Sequence, residues 1–200
     1  QQTTEYTIPV VSSGYPSYYA FVLGEDYDTL NNDNVEIVIN TFDGFNRLER
    51  VDSVKAGKRV ISYYLYNGDD LRVKKVTKSS ADNYTHHVTY YLYDRQHVIL
   101  ETDASDSLKT RYIRGINYTA RIDSTNHTSY FLYNGHGDVV QTVTTEGTVE
   151  NNYDYDIWGN STLTIEQYGN AIRYAGEFFD AETGQYYLRA RYYNPYIGRF

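Results

Sequence analysis

The sequence predicts an all-β protein: a meander of repeated β-hairpins that forms a curved sheet. Three observations carry that prediction. Twenty-five of the 200 residues are tyrosine, and many stand just before Asp, Asn or Gly. Phe42-Asp43-Gly44, Tyr66-Asn67-Gly68, Tyr93-Asp94, Tyr133-Asn134-Gly135 and Tyr155-Asp156 followed by Trp158-Gly159 each run an aromatic β-former into a turn former. These anchors lie 24, 27, 40 and 22 residues apart, and a weaker copy at Tyr112-Ile113-Arg114-Gly115 divides the gap of 40. A period in the twenties is the mark of one small unit used repeatedly. Second, Val35, Ile37 and Ile39 alternate with Glu36, Val38 and Asn40, the two-residue period of a strand. Third, no stretch sustains a 3.6-residue apolar period beyond two turns, so no helix is expected.

Along the chain, residues 1–34 carry turn and loop chemistry without the repeat, as in Tyr15-Pro16-Ser17-Tyr18-Tyr19 and Asn31-Asn32-Asp33-Asn34. They read as an irregular lead-in or a worn repeat, with one strand near Tyr18 to Leu23. Residues 35–170 read as the repeats. Asp43-Gly44 ends the first alternating strand, Val60 to Tyr66 is the next, Asn67-Gly68 turns it, and Leu71 to Val76 returns. Asn-Gly predicts a tight two-residue turn, because both residues tolerate positive φ. The unit recurs as Tyr130 to Tyr133, the turn Asn134-Gly135-His136-Gly137, and Asp138 to Val143. Thr144-Thr145-Glu146-Gly147 turns again, Thr148 to Tyr155 returns, Trp158-Gly159-Asn160 turns, and Ser161 to Ile165 leaves.

Composition bounds the function. The chain has no cysteine and no methionine, which excludes disulfides, thiolate metal sites and a Cys nucleophile. A net charge of −8 argues against a nucleic-acid partner, which needs a basic face. No run approaches 18 apolar residues, so no membrane insertion is expected. The mean hydropathy is −0.63 with 16% aromatic residues. A polar chain this rich in tyrosine suits thin tiled sheets, since each ring can be buried with its hydroxyl bonded or wet. The chain opens at Gln1, which reads as a processed product or an excised piece.

Catalytic and cofactor patterns are weak. Glu177, Asp180 and Glu182 lie close in sequence, but three acids about a hairpin loop read as a solvated turn rather than a glycosidase pair. His86 and His87 face opposite sides of a strand and cannot chelate one metal as neighbours; His97 and His127 stand alone. His136 reads as a surface residue of a Gly-flanked turn. Asn134-Gly135-His136-Gly137-Asp138 joins two strands and lacks the helix N-terminus of a phosphate cradle. No catalytic, cofactor or metal residue is assigned, and the chain is read as non-enzymatic. Asn-x-Ser/Thr sequons stand at Asn83, Asn117, Asn126 and Asn160. The rival function is carbohydrate or partner binding on a tyrosine-rich face; it competes with the reading that the rings tile one repeat against the next. An open ribbon also leaves two sheet edges, which invite self-association.

Residues 171–200 carry the most specific string. Arg173-Tyr174-Ala175-Gly176-Glu177-Phe178-Phe179-Asp180 enters a hairpin loop, Ala181 to Gly184, in which Gly184 takes the left-handed position. The strand after that loop alternates: Tyr186, Leu188, Ala190 and Tyr192 on one face, and Tyr187, Arg189, Arg191 and Tyr193 on the other. That pattern predicts two guanidinium groups stacked on rings, before Pro195 and Gly198 end the strand.

This string resembles the C-terminal core motif of RHS-repeat (YD-repeat) proteins, and the upstream Tyr-Asp/Asn-x-x-Gly units resemble the YD repeats. The resemblance spans about residues 40–200. It falls on Arg173, Gly176, Asp180, Gly184, Tyr187, Arg189, Arg191, Tyr192, Pro195, Gly198, Arg199 and Phe200. One departure is Asn194-Pro195, where the family usually has Asp-Pro; it removes a charge. The resemblance implies a ribbon of hairpins spiralling into a hollow shell. In bacterial polymorphic toxins and toxin-complex C components that shell encloses a C-terminal toxin; in teneurins a similar shell serves adhesion. It further implies that the core motif plugs the shell and that an aspartate-dependent self-cleavage site lies beyond the position of Phe200. The chain is thus expected to be a structural part of a secreted or cell-surface protein, with the rest of its own polypeptide or a toxin cargo as partner. Arg189 and Arg191 are expected to pin the last strand to the aromatic lining.

Overall fold

The computed structural model describes residues 4–11, 35–55, 57–189 and 191–200. Residues 1–88 and 89–200 form two compact units. In the first, β1 (Thr4–Val11) pairs in parallel with β2 (Val35–Phe42). β3 (Leu48–Lys55), β4 (Lys58–Tyr66) and β5 (Arg72–Ser79) come next as antiparallel neighbours in chain order. The lead-in therefore contributes a strand, at 4–11; the strand expected near Tyr18 to Leu23 lies outside the described residues. Val51, Val54, Ile61 and Tyr64 form the core of this unit. Arg72 is buried too, its guanidinium 5.3 Å from the Tyr64 ring centre.

In the second unit an antiparallel meander runs through β6 (His87–Asp94), β7 (His97–Thr102), β8 (Leu108–Arg114) and β9 (Tyr118–Asp123). It continues through β10 (Thr128–Tyr133), β11 (Val139–Val143), β12 (Val149–Tyr155) and β13 (Ser161–Glu166). A separate three-stranded sheet holds β14 (Phe178–Asp180), β15 (Gln185–Tyr187) and β16 (Tyr192–Tyr193). Only two short 3-10 turns, at Ser80–Asp82 and Tyr174–Gly176, interrupt the β structure of the described residues. The all-β hairpin meander expected from the sequence is the fold.

The hairpin loops share one design. In seven of them, starting at Asp43, Asn67, Asp103, Asp123, Asn134, Thr144 and Asp156, the backbone N–H of the first residue donates to the carbonyl of the fifth. The first side chain accepts from the N–H groups two and four residues on. Asp43 Oδ1 does so from Phe45 and Arg47, Asn67 Oδ1 from Asp69 and Leu71, and Asp156 Oδ1 from Trp158 and Asn160. The fourth residue always has positive φ: Asn46, Asp70, Asp106, Asn126, Gly137, Gly147 and Gly159. This corrects the turn expected at Asn-Gly. Gly68 and Gly135 are not in the left-handed region; Asp70 and Gly137 are. The Asn serves as a side-chain acceptor that organises a five-residue loop, and the left-handed residue restores the strand twist that a simple turn would splay. A bulge at the strand end, as between Leu132 and Tyr133, takes up the extra residue.

The anchor tyrosines tie successive hairpins together. Tyr66, Tyr133 and Tyr155 donate their hydroxyls to the carbonyls of Leu48, Tyr118 and Val139 at 2.7, 2.7 and 3.0 Å. Burial pushes the Tyr133 phenol up to about 12, and drives those of Tyr118, Tyr153, Tyr155 and Tyr186 higher still, so these groups stay protonated donors.

Candidate functional site

The strongest concentration of specific chemistry is where residues 170–200 meet the hairpins of the second unit. The segment leaves β13 and docks first on the β10–β11 loop. Val139 N–H donates to Arg173 O at 3.1 Å. Asp138 Oδ1 accepts from Ala175 N–H at 2.8 Å and pairs with His136 Nδ1 at 2.8 Å, while Asn134 Nδ2 donates to Asp138 Oδ2 at 2.7 Å. Burial raises the Asp138 carboxyl, but these hydrogen bonds outweigh it and hold the group below its ordinary 3.8. The segment bends sharply at this contact: Ala175 and Gly176 have φ of 52° and 67°, and Gly176 N–H turns back to Arg173 O at 3.1 Å.

The second dock is the β12–β13 loop, where the backbone is read by phenols. Tyr174, Tyr193 and Tyr186 donate to the carbonyls of Ile157, Trp158 and Gly159 at 3.0, 2.8 and 3.2 Å. Asn160 Nδ2 donates to Pro195 O at 3.1 Å. Gly159 has φ of 90°, and a Cβ there would stand 2.6 Å from the Tyr174 ring. Gly198 packs on Trp158 in the same way, with a Cβ position 3.3 Å from the indole.

The remaining motif residues hold the segment's own frame. Arg173 is buried between the Tyr153 and Phe179 rings, 5.1 and 4.7 Å from their centres, and its guanidinium pairs with Glu166 at 3.1 Å. Asp180 is 2% exposed, and its carbonyl accepts from Gly184 N–H at 2.8 Å, with Gly184 at φ of 68°. Tyr187 and Tyr192 face each other across β15 and β16 at 5.3 Å. Asn194 and Arg199 exchange backbone hydrogen bonds that close the last turn, and Asn194 Oδ1 caps the N–H of Tyr196. Phe200 is exposed, 5.3 Å from the Tyr193 ring.

Two expectations change here. The strand read as continuing from Tyr186 to Tyr193 instead folds back. Leu188 N–H donates to Arg191 O, Arg189 takes φ of 63°, and β15 pairs antiparallel with β16. Arg189 and Arg191 therefore do not share a strand face or pin it to an aromatic lining. Arg189 pairs with Glu177 at 2.6 Å, and Arg191 lies 5.9 Å from the Phe200 ring. The reversal is invisible to an alternation rule, which assumes that extended backbone continues. Second, the acids about the hairpin are not a solvated turn: Asp180 is buried and Glu177 is ion-paired.

Beside this dock lies a cavity of about 270 Å³. Its lining includes His97, Arg114, Tyr118 and Tyr133 from the meander, the His136-Gly137 turn, and Gly176, Glu177 and Arg189 from the docked segment. Sequence reasoning placed Tyr133 as an anchor but missed the convergence of His97, Arg114 and Tyr118, which the register of the consecutive strands β7, β8 and β9 sets side by side. Below it, Tyr112, Tyr118 and Phe178 form an edge-to-face cluster with ring centres 5.4–6.1 Å apart. Burial, and then the charges of Arg114 and Arg189, hold the His97 imidazole below its usual range. Among the described residues, no three His, Asp or Glu side chains converge as a metal site, and no helix is long and apolar enough to cross a membrane.

No protein-family model matches the chain. It is 35% identical over 164 residues to the tRNA3(Ser)-specific nuclease WapA of Bacillus spizizenii, covering 80% of this chain and 7% of WapA. The fold matches that of the TcdB2-TccC3-TEV crystal structure with a TM-score of 0.64 at 21% identity, over 80% of this chain and 8% of that one. The Photorhabdus luminescens Tc holotoxin pore with the TccC3 D651A mutation matches at 0.62 and 22% identity, over 79% of this chain and 8% of that one. The chain thus spans less than a tenth of the length of each. These likenesses support the RHS-type resemblance, and the β-hairpin sheet is that of a repeat protein.

Proposed function

We propose that this chain is a non-enzymatic wall of an RHS-type shell, with YD-type repeats over 35–170 and a closing motif over 171–200, in a secreted or cell-surface protein that sequesters a downstream toxin-like domain. One observation carries the reading: a non-repetitive segment folds back and bonds to the loops of two hairpins through backbone groups, at Asp138–Ala175 and at the 157–159 carbonyls. Such an arrangement suits the closing of a ribbon. The buried, donor-bonded tyrosines support a tiling role for the rings, which weakens the rival reading as a glycan-binding face. The test uses the parent polypeptide. Substituting Asp138→Ala and Gly159→Val together should expose the downstream domain to protease while the repeats stay folded. Unchanged protection would defeat the containment reading. Saturable binding of the chain to a glycan array, abolished by substituting the exposed Tyr90 and Tyr130, would favour adhesion.

A further inference from the structure

The cavity beside the C-terminal dock is chemically unlike the rest of an acidic chain. Arg114 is exposed at the end of β8, and among the described residues its guanidinium makes one hydrogen bond, from NH2 to Ile116 O at 2.8 Å. No carboxylate pairs with it among the described residues. Arg189 gives NH1 to Glu177 and Nε to Gln96 O, at 2.6 and 3.4 Å. The His97 ring nitrogens have no hydrogen-bond partner among the described residues. His136 offers Nε2, since Nδ1 is turned to Asp138. The cationic groups thus outnumber Glu177, the one carboxylate in the lining; Asp138 stands behind His136, and Asp94 acts on His97 from its own hairpin. Tyr118 and Tyr133 also line it and bring aromatic surface. At about 270 Å³ the space is small beside ligand pockets, which run from roughly 300 to 1,000 Å³.

We propose that this cavity is a binding site for a small oxyanion, a carboxylate or phosphate on a body no larger than one sugar ring, held by the Arg114 and Arg189 guanidinium groups with the body against Tyr118 and Tyr133. A planar guanidinium with free donors matches a two-oxygen acceptor, and two of them facing one space favour an anion over any neutral ligand. The arrangement lies within the second unit and does not depend on the chain being a shell wall.

The experiment is an NMR titration of the histidine ring resonances of the 200-residue chain at constant ionic strength, with inorganic phosphate, glucuronate and glucose as probes. Phosphate and glucuronate should shift His97 and His136 saturably and move the His97 titration to higher pH, because a bound anion offsets the two arginines; glucose should do neither. Arg114→Gln, an exposed change, should weaken anion binding about tenfold without lowering the melting temperature. Tighter binding of glucuronate than phosphate supports a role for the rings, and equal binding supports a site for the anionic group alone. Absence of a saturable shift with both anions, equal shifts with glucose, or indifference to Arg114→Gln would overturn the proposal.

Discussion

The hairpin meander and the C-terminal segment solve the same problem by opposite means. In the meander, the polar backbone is satisfied locally: strands pair with sequence neighbours, and each loop is organised by a side chain two to four residues away. In residues 171–200 the strands are only two or three residues long. There the frame rests on distant partners, including Ala175 with Asp138, Tyr186 with Gly159 and Asn160 with Pro195. The meander is therefore a modular structure in which damage stays local. The segment is a docked element whose integrity depends on a few contacts with loops it did not make.

The largest expected effect tests that dependence. Gly159→Val places a branched side chain at positive φ and against the Tyr174 ring, and should cost about 3 kcal/mol. Limited proteolysis should cut residues 171–200 first, with hydrogen exchange in β8–β10 little changed; simultaneous loss of both would erase the contrast. Asp138→Ala leaves the Ala175 N–H without its acceptor and should cost about 2 kcal/mol. The wild-type dock should show the same weakness in acid. The folded Asp138 carboxyl titrates below its ordinary 3.8, so its stabilisation is complete above the unfolded value and disappears as pH falls through the folded one. Protease sensitivity of the segment should rise in that window, and rise less in Asp138→Ala, where only groups such as Asp156 in the second docking loop remain to titrate.

Smaller changes examine the meander. Tyr133→Phe removes the bond to Tyr118 O and should cost about 1 kcal/mol by denaturant unfolding. In the β10–β11 loop, Gly137→Ala at positive φ should cost about 1 kcal/mol, whereas Gly135→Ala should be nearly neutral by the same measurement. The reverse order would restore a two-residue turn at Asn-Gly. Smaller than these two losses are those of the arginine pair: Arg189→Ala should lower stability by about 0.5 kcal/mol through the partly exposed pair with Glu177, and Arg191→Ala by less, since its ring partner Phe200 is exposed.

The same division explains what the sequence revealed. Strands at 58–66, 128–133, 149–155 and 161–166 were legible because alternation and turn residues act over a few positions. The loop geometry was half legible. Asp and Asn were seen as turn formers, but the left-handed residue three places later can be Asn, Asp or Gly, so no fixed letter marks it. The reversal at Leu188–Arg191 was hidden, because Leu-Arg-Ala-Arg carries strand-like alternation and no Gly or Pro. The convergence of His97, Arg114 and Arg189 was hidden for another reason: the pairing of β7 with β8 sets His97 beside Arg114, but Arg189 reaches them only through the docked segment.

The hydroxyl bonds of the anchor tyrosines have a direction. Tyr66, Tyr133, Tyr155, Tyr174, Tyr186 and Tyr193 each reach a carbonyl earlier in the chain. A polypeptide emerging amino end first from a ribosome or an export channel can secure each of these links as soon as its ring appears, with no need of residues still to emerge. Growth and folding can then proceed in step, and residues 171–200 arrive upon hairpins already set.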